Sequence, residues 1–352
     1  KRNARWSAVI GLAPISDAGY NIIQDRAVND SLNARYRYSG SGGISKFNVG
    51  YGRIWRLSWT AASDSIAKKK YTAVLGVGAN LSYYFGNIEH FQRVTYSRVN
   101  TYGTKLTDQT IVTDVNADLG LNFYLPFHQK KIGSVVATQG GLIGGVVYTP
   151  GNQMKSRFNR IQQTTISNNI SEVAVDTSLY VSDKKGKITI PSTTTVSIGY
   201  LLSNQNQRSF VIGFEMSLQA WSKFDLNNGI SSTNPKLNDT KRYSIGIEYT
   251  PRTGDKTKNL LDRMTYRMGV RRNNIYANTN GEIIWQEAIS AGLSIPILSA
   301  KAPGSKFHFG GEFRRSDYLN IGLINDRAFY FFTGLTLTPH FLNQWFIVRK
   351  YD

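Results

Sequence analysis

Between positions 71 and 86 the chain reads Tyr71-Thr72-Ala73-Val74-Leu75-Gly76-Val77-Gly78-Ala79-Asn80-Leu81-Ser82-Tyr83-Tyr84-Phe85-Gly86. Every odd residue is apolar or aromatic, and most even ones are small or polar. Successive side chains of a strand point to opposite faces, so this segment is one two-faced strand. It is about twice as long as the usual strand of a soluble protein.

The same alternation recurs along the chain. Ile111, Val115, Ala117, Leu119, Leu121, Phe123 and Leu125 oppose Asp114, Asn116, Asp118, Gly120 and Asn122. Phe210, Ile212, Phe214, Met216 and Leu218 oppose Gly213, Glu215, Ser217 and Gln219. Tyr243, Ile245, Ile247 and Tyr249 oppose Arg242, Ser244, Gly246 and Glu248. Met264, Tyr266, Met268 and Val270 oppose Thr265, Arg267, Gly269 and Arg271, and Phe307, Phe309 and Phe313 oppose Lys306, His308, Glu312 and Arg314. Weaker versions cover 6–13, 44–55, 132–148, 193–202, 284–297 and 328–338. No long window carries a helical period. The reading gives 12 strands, with room for one or two more in 33–40 and 90–100.

Two architectures fit such strands. A soluble sandwich or lipocalin-like barrel turns its apolar face inward. A transmembrane barrel turns it outward to lipid. Three features favour the second. The polar face mixes Gly, Ser and Asn with isolated charges, as a packed lumen needs. Many strands have the length of a tilted bilayer crossing. Aromatics such as Trp6, Tyr51, Trp55, Tyr71, Phe85, Trp221 and Trp285 sit at strand ends, as in interfacial girdles.

The connections alternate in length. Segments 14–43, 87–110, 149–192, 223–241, 273–283 and 316–327 fall on one side, and 56–70, 126–131, 203–208, 251–263 and 298–305 on the other. Short periplasmic turns and long extracellular loops produce this pattern and put both termini in the periplasm. Segment 56–70, with Lys68-Lys69-Lys70, is long for a periplasmic turn and reads as an insertion.

Composition narrows the function. The 352 residues include no cysteine, which excludes a disulfide scaffold, a thiolate zinc site and a cysteine nucleophile. Lys and Arg number 42 against 23 Asp and Glu, a formal net charge of +19 that asks for an anionic partner. The basic clusters (Lys68–Lys70; Lys155, Arg157 and Arg160; Lys184, Lys185 and Lys187; Arg349-Lys350) lie in predicted loops on both sides, not along one element. That distribution argues against nucleic acid and for lipid headgroups, lipopolysaccharide or partner proteins. No stretch has the length of a transmembrane helix; Lys1 to Trp6 lead straight into a patterned segment, so a processed or incomplete chain is expected.

Four stretches carry a family resemblance. They are Trp6-Ser7-Ala8-Val9-Ile10-Gly11-Leu12-Ala13-Pro14 with Gly19-Tyr20-Asn21-Ile22, then Tyr38-Ser39-Gly40-Ser41-Gly42-Gly43-Ile44 with Gly50-Tyr51, then Leu75 to Ile88, and finally Trp345-Phe346-Ile347-Val348-Arg349-Lys350-Tyr351-Asp352. Together they resemble the FadL-like outer-membrane proteins of Bacteroidota-type bacteria. The resemblance implies a 14-stranded antiparallel transmembrane β-barrel, a hatch in the lumen, and hydrophobic substrates leaving laterally into the bilayer. The chain opens at what resembles the family's third strand, so hatch and first strands have no counterpart, and a longer mature protein is expected. The fold expectation is all-β, a barrel of 12–14 strands over 1–338 with a periplasmic tail over 339–352.

No catalytic constellation stands out. There is no Gly-x-Ser-x-Gly elbow, phosphate loop or metal-spaced His pair, so no enzyme activity, cofactor or metal is expected. Asp225-Leu226-Asn227-Asn228-Gly229 lacks the closing Glu of a calcium loop and reads as a turn. The functional candidates are the polar side chains of the lumen face: Asp114, Asp118, Glu215, Arg242, Glu248, Arg267, Arg271, His308, Glu312 and Arg314. Asp114 and Asp118 lie about 13 Å apart along a strand, too far to share a proton. His308 and Glu312 share a side and read as a hydrogen-bond pair. Salt bridges that stiffen the lumen are the plain reading of these charges; a selectivity path of opposed charges is the sharper one. Glu287 falls on the apolar face after Trp285, at the interface if that strand end is extracellular. Two functions follow. One is passive uptake of hydrophobic or amphipathic small molecules across the outer membrane, with Gly140-Gly141 and Gly144-Gly145 weakening a wall strand. The other is a non-transporting accessory subunit of a larger outer-membrane secretion or assembly complex.

Overall fold

The computed structural model describes residues 5–29, 32–61, 69–98, 100–132, 135–167, 172–204, 208–229, 232–233, 235–251, 259–278, 281–297, 305–316 and 325–337. Seventeen strand segments join in one sheet, and every ladder is antiparallel. In chain order they are β1 Trp6–Asp17, β2 Tyr20–Asn29, β3 Leu32–Ala61, β4 Lys69–Tyr96, β5 Tyr102–Ile132, β6 Val135–Thr149, β7 Asn152–Ser167, β8 Glu172–Ile190 and β9 Thr193–Asn204. Then follow β10 Ser209–Gln219, β11 Asp225–Asn227, β12 Ser232–Thr233, β13 Thr240–Thr250, β14 Thr265–Asn274, β15 Trp285–Pro296, β16 Lys306–Ser316 and β17 Asp326–Thr336. No helix among the described residues is long and apolar enough to cross a membrane, which says nothing of a crossing by strands.

The ladders resolve this list into two storeys. The lower storey runs β1–β3–β4–β5–β6–β9–β10–β13–β14–β15–β16–β17. These are the twelve segments that the alternation marks. The upper storey adds β2 beside the first half of β3, and β7, β8, β11 and β12 beyond the first half of β5. Strands β3, β4 and β5, of 30, 28 and 31 residues, pass through both storeys.

Polarity separates the storeys along a single strand. On β3 one face carries Arg35, Arg37, Ser39 and Ser41, then Phe47, Val49, Tyr51, Trp55, Leu57 and Trp59. Charges on the upper half require water; the lower half requires something apolar. In the lower storey it is the apolar face that is exposed: Leu81 is 63% exposed and Met268 66%, whereas Ser82, Thr265 and Ser294 are fully buried. This is the reverse of a sheet that buries its apolar face against a core and the polarity that lipid demands. Arg53 interrupts the apolar face; its guanidinium lies 5.5 Å from the Trp55 ring centroid, leaning along the strand toward its lower end.

The twelve strands that the alternation predicts in this chain are the twelve of the lower storey, but among the described residues no ladder joins β17 to β1, so the pairing does not show the expected closed barrel. Two further expectations need correction. The long connections 14–43, 87–110 and 149–192 are not loops but paired strand, because the ladder continues upward past the apolar zone. In segment 56–70, β3 extends to Ala61 and β4 starts at Lys69; positions 62–68, like the tail 339–352, lie outside the described residues.

The storeys meet along a line of chain breaks. β1 gives way to β2 at Ala18–Gly19, β6 to β7 at Pro150–Gly151, and β8 to β9 at Pro191–Ser192. Proline has no N–H to donate, so a ladder ends there. On β3, Gly42 has a φ of 84°, and a Cβ there would strike the Asn87 carbonyl oxygen. The hydrophobic cluster of the described residues sits on this line: Tyr84, Val112 and Met154, with Ile44, Ile188 and Ile190 packed around them.

Candidate functional site

The site is the covered polar face of the lower storey. On β5, the stretch between Val112 and Leu119 belongs neither to the ladder with β7 nor to that with β6. The fork leaves backbone groups on both its sides in need of partners, and side chains from across it supply them. The Lys155 N–H donates to Asp114 Oδ2 at 2.8 Å, and Asn152 Nδ2 donates to the Val115 carbonyl at 2.8 Å. Asn116 Nδ2 donates to the Pro150 carbonyl at 3.0 Å. Asp114 is therefore a clamp at the fork.

Asp118 is a hub. It accepts from Thr149 Oγ1 at 2.8 Å, from Lys46 Nζ at 3.2 Å and from Ser82 Oγ at 3.4 Å. Three strands are tied to β5 through one carboxylate that is 8% exposed. A buried charge of this kind is tolerable because it is paired and fully hydrogen-bonded.

A second set crosses five strands. Arg267 Nε lies 2.7 Å from Glu248 Oε2, and its NH1 donates to Ser294 Oγ at 2.6 Å. Ser294 Oγ lies 2.7 Å from His308 Nδ1, and His308 Nε2 lies 2.8 Å from Thr336 Oγ1. A neutral imidazole satisfies the belt: Ser294 accepts from Arg267 and donates to Nδ1, and Nε2–H donates to Thr336. His308 thus bonds to Ser294 and Thr336. Its expected partner Glu312 instead accepts from Arg271 NH2 at 2.6 Å.

Arg271 and Arg314 flank buried Ala288 in register, from β14 and β16. Each has a buried Nε without a hydrogen-bond partner, and the Arg314 guanidinium stacks 4.4 Å from the Tyr330 ring centroid. Arg242 lies near the upper end of β13, opposite Asn273, and Glu215 faces the same side beside Ser197 and Ser244. The ten candidates do not converge. Asp114 and Asp118 serve the tall side, and the Arg–Glu pairs serve β13 to β16.

Between these groups the floor is glycine. Gly199, Gly213, Gly246 and Gly269 follow one another across β9, β10, β13 and β14. Above them lies a cavity of about 510 Å³, walled by Glu248, Arg267, Arg271, His308 and Glu312. A Cβ on Gly213 or Gly246 would meet nothing closer than 3.8 or 3.7 Å, so local crowding does not demand these glycines. Periodicity places the floor on the polar face, but only the register shows that it is continuous. Among the described residues no group of His, Asp or Glu has the geometry of a metal site.

Comparison with known proteins gives distant structural matches and a family. A monoaromatic hydrocarbon channel, CymD, aligns over 96% of this chain and 89% of its own, at 12% identity and a TM-score of 0.41. OccAB3 of Acinetobacter baumannii aligns over 87% of this chain and 92% of its own, at 11% identity and a TM-score of 0.26. No curated protein sequence matches the chain. The family model that matches is BamG, over residues 3–352, and the chain belongs to the BamG family.

Proposed function

We propose that this protein is a non-catalytic accessory subunit of the outer-membrane protein assembly complex, set in the outer membrane by its lower storey. The observation that carries this reading is the BamG family match over nearly the whole chain. The upper storey supports it. A bilayer crossing needs only about 9–11 residues of tilted strand, yet β3, β4 and β5 have 30, 28 and 31. The surplus forms a sheet whose margins expose apolar side chains among charges: Ile22 and Ile23 on β2, and Val173, Val175 and Tyr180 on β8, each more than half exposed. Apolar side chains held in water at sheet margins suit a protein partner.

Passive uptake of small apolar molecules is the second reading. The glycine-floored cavity, whose wall is mostly apolar, favours it; the Glu248–Arg267 and Glu312–Arg271 pairs add charges to that wall. Tagging the full-length protein in its native membrane and purifying it in mild detergent separates the two. Stoichiometric recovery of the large assembly barrel supports the subunit reading. A solitary particle carrying a bound hydrophobic ligand contradicts it.

A further inference from the structure

We propose that the outer face of β13 to β17 holds a binding site for a phosphorylated glycolipid of the outer leaflet, with Arg272, Arg315 and Arg327 as its phosphate ligands. The register puts Arg272, Glu287, Arg315 and Arg327 side by side on β14, β15, β16 and β17. Neighbouring strands lie about 4.8 Å apart, so the row is roughly 15 Å wide. Three guanidinium groups and one carboxylate share this row. Glu287 Oε1 lies 3.7 Å from Arg272 Nε, with both side chains well exposed. The Arg272 guanidinium also sits 4.8 Å from the Trp285 ring centroid, at the rim where an interfacial aromatic belongs.

One step down the strands the face becomes wholly apolar. Val270, Ile289, Phe313 and Phe329 form the next row, again in register and all exposed. A shallow depression of about 430 Å³ spans this step, with Ile245, Ile289 and Phe313 below and Arg272, Glu287 and Arg315 at its edge. The row lies at the strand ends that lead into the 274–285 and 316–326 connections, the same side as the upper storey.

The chemistry selects the ligand. Arginine forks bind phosphate oxygens bidentately. The apolar row beneath fits acyl chains at the depth where hydrocarbon begins. Glu287, beside Arg272, offers carboxylate oxygens that accept hydrogen bonds from sugar hydroxyls. A headgroup carrying both phosphates and sugar hydroxyls satisfies the whole row. The inference rests on the reading of the apolar face as lipid-facing and not on the partner complex.

The test uses the isolated full chain in phosphatidylcholine nanodiscs doped with diphosphoryl lipid A, with dephosphorylated lipid A, or with phosphatidylglycerol. Lipid retained after detergent exchange is read by native mass spectrometry. Diphosphoryl lipid A is expected to be retained in preference to both others. The triple substitution R272A, R315A and R327A is expected to reduce that retention at least ~tenfold with β-sheet circular dichroism unchanged. Equal retention by the variant, or phosphatidylglycerol held as strongly as lipid A, would overturn the proposal. Should the triple variant not fold, Glu287→Gln reads the same site: a lowered preference for lipid A over phosphatidylglycerol supports it, and an unchanged preference overturns it. Because no partner is present in this assay, its failure leaves co-purification with the assembly barrel as a separate result.

Discussion

The two halves of the sheet do different work with the same kind of strand. In the tall half, from β1 to β9, strands β3, β4 and β5 run on past the apolar zone, where β3 and β5 pair again with β2 and β7. In the low half, β10 and β13 to β17, they stop at 10–12 residues, the length of one crossing. The interiors differ too. The tall half is fixed at a few buried points, the Asp118 hub and the Tyr84–Val112–Met154 cluster. The low half spreads partly exposed Arg–Glu pairs over a glycine floor. A wall that must hold up a second storey concentrates its anchors where the storeys join.

The hub gives the largest expected contrast. Asp118→Ala leaves Lys46 and two hydroxyls without their acceptor, at a cost on the order of 3 kcal/mol. Glu248→Gln in the low half touches a pair whose side chains are 43% and 37% exposed, and should cost about 1 kcal/mol or less. Urea unfolding in detergent micelles compares the two directly; equal losses would erase the distinction.

Met154→Ala tests the junction core. Removing a side chain that is 1% exposed should cost ~2–4 kcal/mol. The loss should appear first as proteolysis of the upper storey while the lower storey stays protected. Cleavage spread evenly over both would show that the storeys unfold as one.

Glycine substitutions sharpen the same comparison. Gly42→Ala forces a Cβ onto positive φ and against the Asn87 carbonyl, so a loss of about 1–2 kcal/mol is expected. Gly246→Ala meets only ordinary contacts and should change stability by less than about 1 kcal/mol, while narrowing the cavity. Thermal unfolding of the two variants checks this.

Much of the lower storey is legible in the sequence, because each crossing has one face in lipid and one covered. That contrast imposes period two, and all twelve alternating segments are strands of the ladder. The upper storey is less legible: the sequence offers strand there only at 33–40 and 90–100, which fall in the upper parts of β3 and β4. Strand β8 reads EVAVDTSLYVSDKKGKITI, and nearly all of its described residues up to Lys187 are exposed. With both faces in water nothing enforces alternation, and such segments pass for loops. The candidate polar residues have the same limit. Periodicity gives their face, but partners depend on register. His308 and Glu312 are about 13 Å apart along the strand, whereas Ser294 stands directly opposite His308, at about 5 Å.

The smallest effect lies in the connection above the low half. The Ser222 N–H donates to Asp239 Oδ1 at 2.8 Å, and this backbone bond, more than the Ser222 hydroxyl, holds the Asp239 carboxyl below its ordinary value of 3.8. A depressed carboxyl stabilises the fold above its unfolded pKa, and that contribution is lost as pH falls through the folded value. Segment 220–240 should therefore become more protease-sensitive only below about pH 4, and Asp239→Asn should flatten that dependence.

In the proposed arrangement the upper storey meets protein and the lower storey meets lipid. A photo-crosslinking amino acid placed in living cells at Tyr180, on β8 of the upper storey, or at Met268, on the apolar face of β14, tests this at one stroke. Both positions are more than 65% exposed, so exposure alone does not separate them. Crosslinks from position 180 to a subunit of the assembly complex, with none to protein from position 268, are the predicted result. Protein crosslinks from position 268 with none from position 180 would contradict the account.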